Sequence, residues 1–210
     1  MSKKLLTPDY WEDGKAALRK RDKTLKAIID AYEGDTMRLR GEPFYTLARA
    51  IIGQQISVKA ADSVWAKLVA VVGKITPDII GNADAVLLRS CGLSASKVIY
   101  LHALANHFLE NKKRIKSLPD MTDDEAIAEL TSIKGIGRWT AEMFLIFSLG
   151  RPDVFPLADL GLIKGIQRHY NKSEKMPLPD IIAIGERWRP FRSIGTWYMW
   201  RALDPVPVAY

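Results

Sequence analysis

The sequence predicts an all-α fold, and three features indicate this class. Apolar residues recur with the helical period along nearly the whole chain, for example through residues 94–113. Glycines, prolines and capping residues stand between these periodic segments. No segment shows the alternation of apolar and polar residues that is typical of a half-buried strand.

The predicted helices are separated at these punctuating residues. They cover residues 8–22, 23–34, two helices within 43–73, 83–92, 94–113, 122–133, 138–150, 160–170, 178–188 and 189–203. Pro8 opens the first helix and Gly34 ends the second. Ser57 can cap the helix that follows a break near residues 53–55, and Thr122 with the acidic residues after it suits a helix N-terminus.

The composition is that of an ordinary globular protein. Hydrophobic residues make up 48% of the 210 residues, and no apolar run approaches the ~20 residues that cross a bilayer. Residues 1–15 lack the apolar core and cleavage site of a signal peptide. The one cysteine, Cys91, excludes a disulfide framework, an all-cysteine zinc site and a four-cysteine iron–sulfur cluster. His102, His107 and His169 show no metal-ligand spacing. From the single cysteine we expect an intracellular, cytoplasmic protein, and from the lack of an apolar span we expect no membrane partner.

The chain is basic, with 31 lysines and arginines against 24 acidic residues and a net charge of +7. One interpretation is a well-solvated protein that happens to be basic. The other is a protein that binds a polyanion, in particular nucleic acid. Charge alone does not separate DNA from RNA or from a membrane surface.

A glycine-containing turn joins two predicted helices in SIKGIGRWTA, residues 132–141. Because glycine can take a positive φ, Gly135 and Gly137 allow the chain to reverse within a few residues. They also leave backbone N–H groups open at the N-terminus of the second helix, where an anion such as phosphate binds. A plain turn between two helices is the alternative.

The spacing of this turn resembles the helix-hairpin-helix motif of DNA-binding proteins, here over residues 123–150. The resemblance implies contact with the DNA backbone and says nothing about chemistry. The residues implied in this contact are Lys134, Gly135, Ile136, Gly137 and Arg138.

A carboxylate follows in DVFPLADLGLIKG, residues 153–165. Asp159 directly precedes an apolar helical segment, which predicts an N-cap. A helix N-terminus favours the ionised carboxylate, and such an anion can stabilise a sugar that develops oxocarbenium character. An ordinary cap without chemistry is the alternative.

Four segments in the same order resemble a known family: IIGQQIS, KGIGRWTAEMF, VFPLADLG and WRPFRSIGTWYMW. Over residues 40–205 the chain is similar to alkylpurine DNA glycosylases of the DNA-3-methyladenine glycosylase II type, in the helix-hairpin-helix DNA glycosylase superfamily. The resemblance implies one glycosylase region over residues 1–210, with two helical subdomains and an active-site cleft between them. One departure is Ala158, which stands where the family often has the first of two adjacent aspartates.

The resemblance also assigns roles to single residues. Asp159 matches the catalytic carboxylate, which assists loss of the base and positions the attacking water. Members that also cut the strand carry a lysine where this sequence has Trp139, and indole cannot form an imine. We therefore expect a monofunctional glycosylase, since Lys134 and Lys164 do not match the lyase position.

An aromatic base pocket is implied by Trp139 and Trp200, whose faces can stack on an extruded base. A positively charged alkylpurine is attracted to such a face by ~0.5–2 kcal/mol. Met143 is a further pocket candidate, although core packing is the default interpretation for Met143 and Phe147. In GQQIS, Gln55 and Ile56 are expected to fill the gap left by the flipped nucleotide, with a plain turn as the alternative.

These observations predict a monofunctional glycosylase that excises 3-methyladenine-type or 7-methylguanine-type purines from duplex DNA in base-excision repair and leaves an abasic site. Glycosylases for oxidised or deaminated purines, and a non-catalytic DNA-binding module, are the alternatives. We expect a monomer whose partner is damaged double-stranded DNA and which uses no cofactor. The resemblance leaves open whether the carbonyl groups of residues 132–137 hold a monovalent cation.

Overall fold

A computed structural model describes residues 6–204 and confirms the all-α prediction. Within this range thirteen α-helices and a 3₁₀ turn (Leu118–Asp120) form. The helices are α1 (Trp11–Arg21), α2 (Lys23–Ala31), α3 (Pro43–Gly53), α4 (Val58–Val72), α5 (Pro77–Asn82), α6 (Ala85–Ser90), α7 (Ala95–Glu110), α8 (Lys112–Lys116), α9 (Asp123–Thr131), α10 (Arg138–Phe147), α11 (Leu160–Tyr170), α12 (Leu178–Arg187) and α13 (Arg192–Arg201).

The same described range contains no strand beyond an isolated bridge between Leu6 and Leu39. None of its helices has the length and apolar character that a membrane span requires. Residues 1–5, on which part of the N-terminal prediction falls, and residues 205–210 of the predicted glycosylase region lie outside the described residues.

Two elements differ from the predictions. Helix α5 is an additional helix, which Thr76 caps by accepting a hydrogen bond from the Ile79 N–H at 3.3 Å. Its six residues are too few to show a helical period. The helix predicted over residues 94–113 is interrupted at Asn111, whose φ of −111° and ψ of 35° are not helical. The Asn111 side-chain amide donates to the His107 carbonyl at 3.1 Å, and the Asn111 backbone N–H donates to the same carbonyl at 2.9 Å.

The predicted caps form. Ser57 accepts a hydrogen bond from the Ala60 N–H at 3.3 Å at the start of α4. Thr122 and Glu125 bond each other's backbone N–H groups in a capping box at the start of α9. Such caps satisfy N–H groups that the first turn of a helix leaves without an intrahelical partner.

The chain divides into two compact units. In the described range the first unit comprises residues 6–41 and 145–204, and α13 lies at its centre. All eight residues from 193 to 200 are buried. The ring of Trp11 packs edge-on against Trp197 at 5.2 Å and stacks with Tyr198 at 5.8 Å between ring centroids. Helices α1, α2, α11 and α12 all pack on α13.

The second unit, Glu42–Phe144, is built around α7. Helices α3, α5 and α6 all contact α7. Leu101 and Leu104 on α7 are fully buried. Helix α9 and the turn after it belong to the same unit.

A serine in the first unit holds the segment that connects α10 to α11. The Ser193 hydroxyl donates to the Arg151 carbonyl at 2.6 Å and accepts from the Val154 N–H at 3.0 Å. The Ser193 N–H donates to the Pro152 carbonyl at 3.0 Å. Three hydrogen bonds therefore fix residues 151–154 to the start of α13.

Replacing Ser193 by alanine removes two of these bonds and leaves the Val154 N–H without its acceptor, whereas the Arg151 carbonyl still accepts from the Tyr10 hydroxyl at 3.3 Å. We expect the free energy of unfolding to fall by about 2 kcal/mol, because a buried polar group without a partner is destabilising. Urea denaturation measures the change. Ser90→Ala is the control, since Ser90 also donates to a backbone carbonyl but is exposed, and it should change stability by at most about 0.5 kcal/mol. Equal effects of the two substitutions would contradict this role of Ser193.

Candidate active site

Asp159 is the N-cap of α11, as the sequence predicts. Its Oδ1 atom accepts a hydrogen bond from the Leu162 N–H at 2.6 Å. The side chain is only 7% exposed. The backbone φ of −79° and ψ of 115° are extended, which is typical of a capping residue. A buried carboxylate is thereby fixed at the positive end of a helix dipole.

Trp200 contacts the same carboxylate oxygen. Its indole Nε1–H donates to Asp159 Oδ1 at 2.7 Å. The indole is also held by Phe147. The two rings stack with 5.9 Å between their centroids and an interplanar angle of 21°. Trp200 is 6% exposed. Of the residues predicted for the site, the first unit thus brings Asp159 and Trp200 into direct contact.

Two glycines on α11 make this contact sterically possible. A Cβ atom on Gly161 would lie 2.9 Å from Trp200 Cδ1 and 3.1 Å from Asp159 Oδ1. A Cβ atom on Gly165, one turn later, would lie 2.7 Å from Met199 Cβ and 2.9 Å from the Met199 carbonyl oxygen. Side chains at both positions would separate α11 from α13, so the glycines allow the close approach.

The second carboxylate of the segment, Asp153, serves the structure. Arg192 donates to Asp153 Oδ1 at 2.8 Å and to the Asp153 carbonyl at 2.8 Å. Arg189 donates to Asp153 Oδ2 at 2.7 Å. These ion pairs bind residue 153 to the region before and at the start of α13.

The predicted DNA-contact turn has two glycines with different roles. Gly135 has a φ of +93°, and a Cβ atom there would lie 2.2 Å from Tyr100 Cγ. Gly137 does not have a positive φ, and a Cβ atom there would meet nothing within 4 Å. The expectation that both glycines supply a positive φ is therefore wrong for Gly137. The positive φ of the turn is supplied by Gly135, and Ile136 closes the turn by donating its N–H to the Ile133 carbonyl at 3.0 Å.

The other members of the turn differ in what they expose. Lys134 and Arg138 are exposed, and Arg138 Nε donates to Glu142 Oε1 at 3.0 Å. The Ile136 side chain is 4% exposed and packs inward. The Gly137 carbonyl, directly before α10, accepts the N–H of Ala141 at 3.0 Å. Two basic side chains and an open helix N-terminus thus lie at the surface of the turn.

The hairpin carbonyl groups were the predicted place for a monovalent cation. The Ile133 carbonyl accepts a hydrogen bond from Ile136, and the Gly135 carbonyl accepts one from Gln54 Nε2 at 3.0 Å. The cation stays a prediction.

Among residues 6–204, no three His, Cys, Asp or Glu side chains are grouped as a metal site requires. His107 instead bonds Glu129 at 2.8 Å.

A pocket of about 470 Å³ lies beside the turn. Its lining residues come from three segments of the second unit: Gln54, Gln55, Ser94, Ser96, Lys97, Tyr100, Gly135, Ile136 and Gly137. Lys97 donates to the Ile52 carbonyl at 2.7 Å, and burial lowers the pKa of its ammonium group. The sequence analysis did not predict that residues of α7 line this pocket. The sequence does contain an indication of it, because Gly92 and the N-cap Ser94 form a second glycine turn before a helix. The φ of Gly92 is +96°.

Four further predicted residues lie in the second unit: Gln55, Ile56, Trp139 and Met143. Gln55 is exposed with a φ of +59°, and Ile56 is 39% exposed, in the loop between α3 and α4. Trp139 is half-buried in the first turn of α10. Met143 is 2% exposed, which fits the core interpretation. Phe147, in the first unit, is 1% exposed and fits it too.

Comparison with known proteins identifies the family of the chain. Residues 48–190, more than half of the chain, match the family model described as HhH-GPD superfamily base excision DNA repair protein. The chain is 34% identical over 184 residues to DNA-3-methyladenine glycosylase 1 of Schizosaccharomyces pombe, which covers 85% of this chain and 80% of that protein.

Solved structures show the same similarity. A DNA-3-methyladenine glycosidase from Bacillus halodurans aligns with a TM-score of 0.78 and 30% identity, over 95% of this chain and 92% of the other. The S. pombe 3-methyladenine DNA glycosylase, in complex with abasic DNA, aligns with a TM-score of 0.77 and 30% identity, over 94% and 100% of the two chains. The chain belongs to the HhH-GPD superfamily of base excision DNA repair proteins.

Proposed function

We propose that this protein is a monofunctional DNA glycosylase that excises alkylated purines, of the 3-methyladenine type, from duplex DNA. The observation that carries the proposal is Asp159, a buried N-cap carboxylate held by two N–H donors. It stands in a chain that belongs to a base-excision family and is similar to proteins named for 3-methyladenine excision.

The reaction breaks the bond between the sugar C1′ and the purine nitrogen. The electron pair leaves with the base, which neutralises the positive charge of the alkylated ring. The sugar develops oxocarbenium character, and the negative charge of Asp159 stabilises it. Water then adds to C1′ and loses a proton, giving free base and an abasic site. The alkylated base is already a good leaving group, so the reaction places little demand on a general acid.

The aromatic side chains supply recognition of the damaged base. A cationic purine is attracted to the face of an indole, and Trp139 is half-buried, so part of its ring is accessible. Gln55 and Ile56, both exposed, suit the filling of a gap in the base stack. The nearby Gln54 amide holds the Gly135 carbonyl, which links this loop to the glycine turn.

The glycine turn supplies contact with the DNA backbone. Lys134, Arg138 and the N–H groups at the start of α10 present positive charge at the surface. Lys97, in the adjoining pocket, adds another cation. Phosphate contacts carry no sequence information, so this surface binds any duplex and leaves selection of the lesion to the base pocket.

The first test concerns Asp159. Asp159→Asn keeps an oxygen that can accept both hydrogen bonds but removes the charge. We expect the single-turnover rate of 3-methyladenine release to fall by at least about 100-fold, with the affinity for DNA little changed. Asp22→Asn is the matched control, because Asp22 is also a buried N-cap carboxylate that receives an indole N–H. Release at the wild-type rate by the Asp159 variant would refute the catalytic role.

The second test separates the two glycines of the turn. Gly137→Leu places a bulky side chain in open space, so stability should fall by at most about 1 kcal/mol. Affinity for all DNA sequences should fall alike, because a side chain there blocks the approach of a phosphate. Gly135→Ala should instead lose more than about 1 kcal/mol of stability, because of its positive φ and the Tyr100 ring. Fluorescence anisotropy and urea denaturation measure the two effects.

The salt dependence completes this test. Wild-type affinity should fall steeply between 50 and 200 mM salt, by roughly 10³-fold where six or more phosphates are contacted. A salt-insensitive affinity, or undiminished binding by the Gly137 variant, would count against backbone contact at the turn.

The third test concerns strand cleavage. Trp139 has no amine to attack the sugar, so borohydride should trap no covalent protein–DNA complex during base release. Alkali should be needed to break the strand at the abasic site. Efficient trapping that disappears in a Lys134 or Lys164 variant would place the protein among the glycosylases that also act as lyases.

A further inference from the structure

We propose that Trp200 is a positioning residue for Asp159, acting through its indole N–H and not only through its ring face. The inference rests on the proposed glycosylase activity and specifies how one side chain serves that activity. The family resemblance implies that Trp200 stacks on the base. The structure shows that its indole N–H is directed at the Asp159 carboxylate.

Two donors from two helices converge on one oxygen of Asp159. The Leu162 N–H belongs to α11 and lies 2.6 Å from Oδ1. The Trp200 N–H belongs to α13 and lies 2.7 Å from the same atom. Because the two donors reach Oδ1 from different helices, together they restrict rotation of the carboxylate about the Cβ–Cγ bond more than either donor does alone.

The indole is itself held in place, which a positioning role requires. Phe147 stacks on its ring. A Cβ atom on Gly161 would lie 2.9 Å from Trp200 Cδ1 and 3.2 Å from Nε1, so the indole fills all the space that this glycine leaves. Both partners of the hydrogen bond are less than 10% exposed, and water competes little with a bond at such a site.

The chain contains a second pair of the same kind, which serves as an internal control. Trp188 Nε1 donates to Asp22 Oδ2 at 3.4 Å, and Asp22 caps α2 by accepting from the Leu25 N–H at 3.0 Å. Trp188 is fully buried and Asp22 is 3% exposed. Both pairs join a buried indole to an N-cap carboxylate in the first unit, but only the Asp159 pair has a proposed role in the reaction.

The experiment compares Trp200→Phe with Trp188→Phe. Both substitutions remove an indole N–H and keep an aromatic face. Single-turnover release of 3-methyladenine should fall roughly tenfold or more in the Trp200 variant, the effect of losing a hydrogen bond to a charged group. The rate of the Trp188 variant should stay within about twofold of wild type. The affinity for abasic-site DNA should be unchanged in both variants, since contacts with the DNA backbone dominate that affinity. Thermal unfolding gives the folded fraction by which each rate is divided.

A double-substitution cycle asks whether Trp200 acts through the carboxylate. In the Asp159→Asn background, Trp200→Phe should reduce the residual rate by no more than about twofold, because no charge remains to be oriented. Rates are corrected for spontaneous base loss. If Trp200 served only to stack on the base, the two reductions would multiply instead.

Gly161→Ala is the second variant, and its activity tests the contact if Trp200→Phe does not fold. Its added methyl group retains the indole but crowds both Trp200 Cδ1, at 2.9 Å, and Asp159 Oδ1, at 3.1 Å. The hydrogen bond between the two side chains is therefore disturbed, and the rate should fall at least as far as in the Trp200 variant. Equal rates in the Trp200 and Trp188 variants, multiplying reductions in the cycle, or full activity of Gly161→Ala would each overturn the positioning role. A wild-type protein that releases no base would instead overturn the proposed function, and the inference with it.

Discussion

The close approach of α11 and α13 at Gly161 and Gly165 is the constraint on which the first unit depends. At Gly165 the nearest atoms include the Met199 carbonyl oxygen, a backbone atom that cannot move aside as a flexible side chain can. At Gly161 the nearest atoms belong to the indole that bonds Asp159. A methyl group at either position would force its neighbours on α13 to shift, and at Gly161 those neighbours include the indole that bonds Asp159.

Helix α13 therefore holds the segment before α11 at both ends. Ser193 and Arg192 fix residues 151–154, and Trp200 fixes Asp159. The helix that does this is buried from residue 193 to residue 200 and packs on Trp11. A charged group that must stabilise a transition state gains from such fixation, because donors that are already in place need no reorganisation during the reaction.

The sequence predicts those features that local patterns encode. Ser57, Thr122 and Asp159 are capping residues followed by apolar helical segments, and all three form caps. The family resemblance added the function, since a cap and a catalytic carboxylate look alike in a single sequence. The break at Asn111 escaped prediction, because apolar periodicity does not register a departure from helical φ and ψ at one residue. The contact between Asp159 and Trp200 joins residues 41 positions apart, and no local pattern specifies such a pair.

The two glycines of the turn also show that a local sequence pattern does not specify contacts between distant residues. In the sequence Gly135 and Gly137 look equivalent, and the neighbour that distinguishes them, Tyr100, lies on another helix. Tyr100 and the positive φ explain why position 135 requires glycine. At position 137 neither a positive φ nor a close neighbour requires glycine, because a side chain there would point into open space. Serine or asparagine would cap α10 better than glycine does. The absence of a side chain there matters for something that approaches from outside the chain, and a phosphate seated against the backbone N–H groups of α10 fits that requirement.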